Sequence, residues 1–169
     1  MKRIWAPWRM KYISGQSQKE EPGCIFCLKP KQKKDQANFI LHRGKKAFVM
    51  MNLYPYTNGH LMIAPYRHVG DFTKLTEAEL LEMMKLAQLC QKAMQKSMRP
   101  EGFNLGFNLG RTAGAGIADH VHLHLVPRWN GDTNFMPVIS GAKIISEGLD
   151  ETYAKLKDAL DKIMGHGLR

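Results

Sequence analysis

Short apolar or alternating segments, some of them bounded by turn residues, predict strands at several places in this 169-residue chain. The candidates are 47–52, 61–65, 103–109 and 121–127, with 39–42 as a further strand at the edge of the sheet. The first two flank a turn-rich stretch that contains Pro55 and the pair Asn58-Gly59. The segment 121–127 alternates most clearly.

Two other segments repeat apolar residues at the spacing of an amphipathic helix. The first has a methionine-rich stripe from Leu80 to Met98, which we interpret as core packing. Thr76 and Glu79 have the spacing of a capping box before it, and Pro100 follows it. The second runs from about Asp150 to Met164. The order of strands, helix, strands and helix predicts an α+β domain with a mostly antiparallel sheet.

Length and composition are typical of one globular domain. Hydrophobic residues make up 44% of the chain, and no apolar run approaches the ~20 residues that cross a bilayer. The basic segment Met1 to Tyr12 lacks the apolar region of a secretory signal. We therefore expect a cytoplasmic protein that does not associate with membranes.

The formal net charge of +10 favours an anionic partner. We do not expect nucleic acid to be that partner, because the sequence contains no recognisable zinc finger, helix-turn-helix or single-strand module. We interpret the basic run Lys29 to Lys34 as a solvated loop. A phosphorylated small molecule fits the charge as well as nucleic acid does.

Three histidines alternate with apolar residues in the segment 120–125. Because side chains of a strand point to opposite faces in turn, His120, His122 and His124 share one face. The apolar residues between them must pack on the core, so the imidazoles are expected to line a cleft. Two chemistries remain open for this face. His122 and His124 have the spacing of two metal ligands on a strand, and a neutral imidazole can also attack phosphorus and form a covalent intermediate.

Cys24 and Cys27 are separated by two residues, which is the spacing of a redox pair or of half a zinc site. Pro22-Gly23 before the pair and Lys29-Pro30 after it predict that no helix begins there, which disfavours a thioredoxin-like pair. A zinc site needs two more ligands. Because Cys90 falls on the apolar face of the first predicted helix, the missing ligands are expected to be histidines.

The motif at 120–126, with Leu125 and Val126 after the third histidine, resembles that of the histidine triad family of nucleotide hydrolases and transferases. The resemblance extends from Cys24 to about Arg128. The runs Ile4 to Arg9 and Pro127 to Phe135 resemble the branch with diadenosine tetraphosphate phosphorylases and related hydrolases. The resemblance implies one domain with about five strands and two main helices. This domain consists of an arm (1–22), a core (about 23–130) and a C-terminal extension (131–169). The resemblance also implies a homodimer.

The resemblance further implies a role for individual residues. His122 is the expected nucleophile, His124 orients the site and contacts phosphate, and His60 lies behind them as a further catalytic residue. Asn52 is expected to bond the ribose of the nucleotide. Asn108 is also expected to contact phosphate. So are two glycines of the loop Arg111 to Asp119, namely Gly114 and Gly116.

For the metal, the resemblance names His68 and His120 as partners of Cys24 and Cys27. Four protein ligands close a zinc site, so the expected zinc is structural. No organic cofactor is expected.

The expected activity is cleavage of a phosphoanhydride in a dinucleoside polyphosphate such as diadenosine tetraphosphate, through a nucleotidyl group on His122. Many hydrolases of the family have Gln or Ser in the loop before the triad. This chain has other residues there, Thr112, Ala113, Ala115 and Ile117, which leaves phosphorolysis open beside hydrolysis. The alternatives are hydrolysis of nucleoside phosphoramidates and a nucleotide-binding signalling module with little turnover.

Overall fold

The computed structural model describes residues 23–132 and 145–166. The expected arm 1–22, with the run Ile4 to Arg9, lies outside the described residues, as does the part of the C-terminal extension at 133–144. The described strands are β1 (Ile40–Arg43), β2 (Ala47–Met51), β3 (Leu61–Pro65), β4 (Gly102–Phe107) and β5 (Leu123–Arg128). The described α-helices are α1 (Ile25–Lys31), α2 (Glu77–Ser97) and α3 (Leu149–His166).

The five strands form one antiparallel sheet in the order β1-β2-β3-β5-β4. The predicted α+β fold, with a five-stranded antiparallel sheet and two long helices, is confirmed. β5, which continues the histidine segment, lies between β3 and the edge strand β4. A side chain on β5 therefore has neighbours on both sides.

The two faces of the sheet have different coverings, because alternate residues of each strand point in opposite directions. One face packs on α2 and α3, where Val49, Ile63 and Leu125 are buried with Met83 and Leu156. The opposite face contains a smaller apolar cluster around Phe26 of α1. The histidines share this second face with α1.

The predicted capping box fixes the start of α2. The Thr76 hydroxyl accepts the backbone N–H of Glu79 at 3.3 Å, and the Glu79 carboxylate accepts the backbone N–H of Thr76 at 2.9 Å. Arg67 also donates two hydrogen bonds to this carboxylate. These bonds, with the Arg67 bonds as the largest cause, lower the pKa of Glu79 to about 2. The cap thus joins α2 to the segment that follows β3.

The prediction that no helix begins at the cysteine pair is wrong. The Cys24 carbonyl accepts the backbone N–H groups of Cys27 and Leu28, both at 3.0 Å, and opens the seven-residue helix α1. Pro30 lies inside this helix near its end. Pro30 cannot donate a backbone hydrogen bond and its ring crowds the preceding turn, and the helix ends one residue later, at Lys31.

Cys90 is buried on α2, as predicted from the apolar stripe. None of the helices in the described ranges is long and apolar enough to cross a membrane.

Candidate active site and metal site

The histidine row begins before the regular strand. β5 starts at Leu123, whereas the backbone N–H of Val121 donates to the carbonyl of Val69 at 2.8 Å, outside the sheet. The alternation still extends through the whole segment. Val121, Leu123 and Leu125 enter the core between sheet and helices. The three histidines are buried on the other face.

His122, the middle residue, is held in one tautomer by its own backbone. Its Nδ1 lies 2.8 Å from the carbonyl oxygen of His120. Because a carbonyl only accepts, Nδ1 carries the proton and the lone pair of the neutral ring is on Nε2. Burial lowers the pKa of His122 and favours this neutral form. A neutral imidazole with a lone pair on Nε2 is the form that can act as a nucleophile.

A second chain of hydrogen bonds fixes the tautomer of His124. The backbone N–H of Tyr56 donates to Nδ1 of His60 at 3.1 Å, so the proton of His60 is on Nε2. This Nε2 lies 2.8 Å from Nδ1 of His124 and donates to it. His124 therefore accepts at Nδ1, and its proton is on Nε2. His60 takes the place behind the row that the family resemblance implies for it.

The Nε2 atom of His124 is the buried side-chain polar atom that lacks a hydrogen-bond partner among the described residues. Burial, with a smaller effect from His122, lowers the pKa of His124 to about 4. A buried donor without a partner costs free energy. An acceptor on a bound ligand, such as a phosphate oxygen, satisfies it.

Two aromatic rings enclose the histidines from opposite ends. The Phe26 ring centroid lies 4.7 Å from that of His122 and 5.2 Å from that of His120. The Tyr56 ring stacks on His124 at 5.7 Å. Within the row, the ring centroids of His122 and His124 are 4.8 Å apart. The two imidazoles can therefore contact the same phosphate group.

The residues expected to bind nucleotide differ in how closely the structure brings them to this row. The Asn52 side-chain nitrogen lies 3.3 Å from Nδ1 of His60. Asn108 lines an open cleft with His124 and donates to the Tyr56 hydroxyl at 3.3 Å. A Cβ on Gly114 would lie 3.8 Å from the Asn108 amide.

Gly116, the remaining loop residue of that set, is exposed, and a Cβ there would meet no atom within 4 Å. The structure does not bring it against the histidines. Its role in phosphate binding stays a prediction.

The cysteine pair and two histidines converge at the other end of the row. Cys24, Cys27, His68 and His120 place four ligand atoms within 4.8 Å of one another. The His120 Nδ1 lies 3.3 Å from the Cys24 sulfur, 3.6 Å from the Cys27 sulfur and 3.3 Å from the His68 Nδ1. The Cys27 sulfur lies 3.4 Å from the His68 Nδ1.

These separations fit a tetrahedral zinc ion. Zinc bonds of about 2.3 Å to sulfur and about 2.0–2.1 Å to nitrogen give edges of about 3.3 Å between nitrogens and about 3.6 Å between nitrogen and sulfur. The Nε2–H of His120 donates to the Pro65 carbonyl at 2.8 Å, which leaves the Nδ1 lone pair for a cation. A hydrogen bond of this kind is the usual support of a metal-bound histidine.

Comparison with known proteins identifies the family. The family model of the HIT domain matches residues 33–131, more than half of the chain. The chain belongs to the histidine triad family.

Among its relatives, the AP-4-A phosphorylase of Mycobacterium tuberculosis is 40% identical over 158 residues, which cover 90% of this chain and 80% of the relative. The asymmetrical bis(5'-nucleosyl)-tetraphosphatase of Schizosaccharomyces pombe is 30% identical and covers 55% of this chain and 50% of that relative.

The crystal structure of a Zn-bound histidine triad family protein from Mycobacterium smegmatis superimposes with a TM-score of 0.69 at 23% identity. The match covers 85% of this chain and 97% of that one. At this identity the likeness supports the fold.

Sequence analysis missed the two aromatic residues at the ends of the row. Phe26 is signalled only by its position between the two cysteines. Tyr56 lies in a stretch that the pattern marks as a turn. Each ring reaches its histidines through a contact between distant parts of the chain, and such contacts leave no local pattern.

Proposed function

We propose that this member of the histidine triad family cleaves dinucleoside polyphosphates, such as diadenosine tetraphosphate, through a covalent nucleotidyl group on His122. Nε2 of His122 attacks the α-phosphorus and forms a P–N bond, while the bond from this phosphorus to the leaving oxygen breaks. A phosphate or water oxygen then attacks the same phosphorus and releases His122. The M. tuberculosis relative named AP-4-A phosphorylase supports this class of substrate.

One observation carries the proposal, namely the pairing of two opposite tautomers. His122 presents a lone pair at Nε2 because its Nδ1 donates to a carbonyl. His124 presents an N–H at Nε2 because its Nδ1 accepts from His60. A nucleophile and a donor therefore lie side by side. The donor can stabilise the charge on the phosphate oxygens during attack.

The nucleotide is positioned by residues around this pair. We assign the ribose contact to Asn52, which is partly exposed beside His60. Asn108 and the loop with Gly114 and Gly116 are assigned to the phosphates. Gly110 and Gly114 have φ angles of 82° and 90°, a left-handed conformation that favours glycine, so this loop exposes backbone near the cleft.

We propose inorganic phosphate as the acceptor. The loop before the triad contains no Gln or Ser side chain, of the kind that many hydrolases of the family have there, to position water. Two alternatives remain: hydrolysis of nucleoside phosphoramidates by the same histidine, and a nucleotide-binding module with little turnover.

A substrate panel with and without inorganic phosphate tests the function and the acceptor together. Products are read by mass from diadenosine tetraphosphate and from an adenosine phosphoramidate. We expect ADP and ATP from the tetraphosphate, only when phosphate is present. AMP and ATP without phosphate would show hydrolysis, and preferential turnover of the phosphoramidate would support the first alternative. No turnover of either compound, with retained AMP binding, would support the binding module.

We also propose that Cys24, Cys27, His68 and His120 hold a structural zinc. Four protein ligands leave no open position for substrate, so this zinc contributes to folding. It fixes α1, and with α1 the Phe26 ring, against the histidine row. His120 is thereby assigned to the metal, and His122 to the chemistry.

A homodimer and a cytoplasmic location complete the proposal. β4 is the edge strand beside the site, and it exposes Leu105, while Leu109 is exposed just after it. An unpaired edge with apolar side chains is suited to pairing with a second copy of the same edge. Sedimentation equilibrium should then give twice the mass of the chain, and a monomer at micromolar concentration would contradict the dimer.

A further inference from the structure

The cleft that Asn108 and His124 line extends away from the metal site, beyond the residues expected to bind nucleotide. It has a volume of about 330 Å³, which is within the range of small-molecule sites. Its lining comes from β4, β5 and the turn before β3. It runs from His124 towards Arg128, about 13 Å along the strand at the usual rise per residue.

Gly106 forms the floor of this cleft next to His124. The two residues are register partners on β4 and β5. A Cβ on Gly106 would meet no atom within 4 Å, and the φ angle of this residue is not in the left-handed region. Neither the backbone nor the packing of the fold therefore requires glycine here. Glycine weakens a strand, and one reason for its presence is the close approach of a ligand.

The far end of the cleft has neutral hydrogen-bonding groups. Arg128 donates to the side-chain oxygen of Asn104 at 2.8 Å, so the NH₂ group of Asn104 remains as a donor. Asp132 accepts two further hydrogen bonds from the Arg128 guanidinium and balances its charge. Val126 lies between His124 and Arg128 on the same face. An amide, an apolar floor and a compensated charge suit a nucleoside better than a phosphate.

The near end suits the phosphate chain. The Nε2–H of His124 has no partner within residues 23–132 and 145–166, and the Tyr56 hydroxyl and the Asn108 amide lie together above the same cleft. These are neutral donors, arranged beside the histidine that neighbours the nucleophile.

From these contacts we infer that the cleft from Gly106 to Asn104 is a second nucleoside subsite, which binds the half of the substrate that leaves. The phosphates of the leaving group pass over Gly106, and its base meets the Asn104 amide. This inference rests on the proposed cleavage at His122, and it makes the enzyme prefer substrates with a nucleoside at both ends.

Two substrates with the same phosphate chain test the inference. Diadenosine tetraphosphate carries the second nucleoside, and adenosine 5'-tetraphosphate does not. For Asn104→Ala we expect kcat/KM on diadenosine tetraphosphate to fall by about fivefold or more, the loss typical of an amide that bonds a base. On adenosine tetraphosphate the change should stay below about twofold. Gln95→Ala removes an exposed amide on α2 and is the matched control, with no effect on either substrate.

Gly106→Val is the second variant, because the open space above Gly106 accepts the side chain and valine favours a strand. It should fold as well as the wild type, which thermal unfolding checks. Because both substrates carry the phosphate chain that passes over Gly106, this variant should lose activity on both. Equal losses on the two substrates for Asn104→Ala, or no loss on either substrate for Gly106→Val, would overturn the subsite. A wild-type protein that turns over neither substrate would instead refute the proposed function.

Discussion

The first and third histidines of the row belong to the same alternating segment and have opposite chemistry. His120 donates from Nε2 to the carbonyl of Pro65 and turns the lone pair of Nδ1 towards two sulfurs. His124 accepts at Nδ1 from His60 and turns the N–H of Nε2 towards the cleft. One side chain is thus prepared for a cation, and the other for an anion.

The difference arises outside the row. When a carbonyl oxygen lies beside one ring nitrogen, that nitrogen carries the proton and the other nitrogen is an acceptor. When an imidazole N–H lies there instead, the other nitrogen is a donor. His122 follows the first pattern and obtains its acceptor from the backbone of His120. Period-two alternation therefore places three imidazoles on one face, and their neighbours assign three functions to them.

The largest expected effect separates the middle histidine from the metal site. His122→Gly should reduce the rate of diadenosine tetraphosphate cleavage by about 10³-fold or more, because no nucleophile remains. Zinc content and AMP binding should stay near those of the wild type, as checked by metal analysis and calorimetry. A variant that loses its zinc as well would show that the two ends of the row are not independent.

Cys24→Ser is the reciprocal change. Loss of one thiolate ligand should reduce zinc from about one equivalent per chain to well below it. The free energy of unfolding should fall by several kcal/mol, on the order expected when ligand binding is coupled to folding. Metal analysis and urea unfolding measure the two effects. Cys90→Ser, at a cysteine outside the cluster, is the control and should retain its zinc.

The stability of the protein at acid pH tests the catalytic end of the histidine row, because His124 is buried there in its neutral form. The pKa of His124 is about 4 in the folded protein, and that of an unfolded histidine is about 6.5. Above pH 6.5 neither state is protonated, so this residue adds no pH dependence. Between pH 6.5 and 4 the unfolded state binds a proton that the folded state does not, and stability falls by about 3 kcal/mol.

His124→Asn lacks this titration. The decrease in unfolding free energy from pH 7 to pH 4.5 should be smaller in the variant than in the wild type. Urea unfolding at the two pH values measures this decrease in each protein. The same decrease in the variant and in the wild type would contradict the neutral, buried state of His124. Protonation of other groups occurs in both proteins and cancels in the comparison.

A smaller effect on the cleavage rate is expected from changes at His60, which lies behind the row of three histidines. His60→Ala removes the donor that holds the tautomer of His124, without touching the reacting atoms. The rate should fall by about 10- to 100-fold, as for other residues that orient a functional histidine. His60→Gln offers an amide N–H to the same nitrogen and should recover part of the rate. The same loss in both variants would contradict a positioning role.

Local patterns predicted the sheet and the long helices of this protein well. The capping box at Thr76 and the alternation at 120–125 need only neighbouring residues, and both are present in the structure. The limits of β5 were less accurate, because the strand begins where pairing with β3 begins, and Ile63 pairs with Leu123. Pairing partners lie far away in sequence.

The parts that sequence analysis missed depend on contacts across the fold. α1 contains Pro30 and was not predicted, since proline normally argues against a helix. Tyr56 stacks on His124 only because β3 and β5 are adjacent in the sheet. The four metal-site residues were named from the cysteine spacing and the family resemblance, and their convergence in space became visible only in the structure.

The covalent intermediate is the most direct test of the account. The enzyme is mixed with diadenosine tetraphosphate without inorganic phosphate, and the reaction is quenched in alkali, because phosphoramidates are labile in acid. Peptide mass analysis should show one adenylyl group on the peptide that contains His122, and none on that peptide from His122→Gly. An adenylyl group on another residue, or full turnover by His122→Gly, would contradict nucleophilic catalysis by His122.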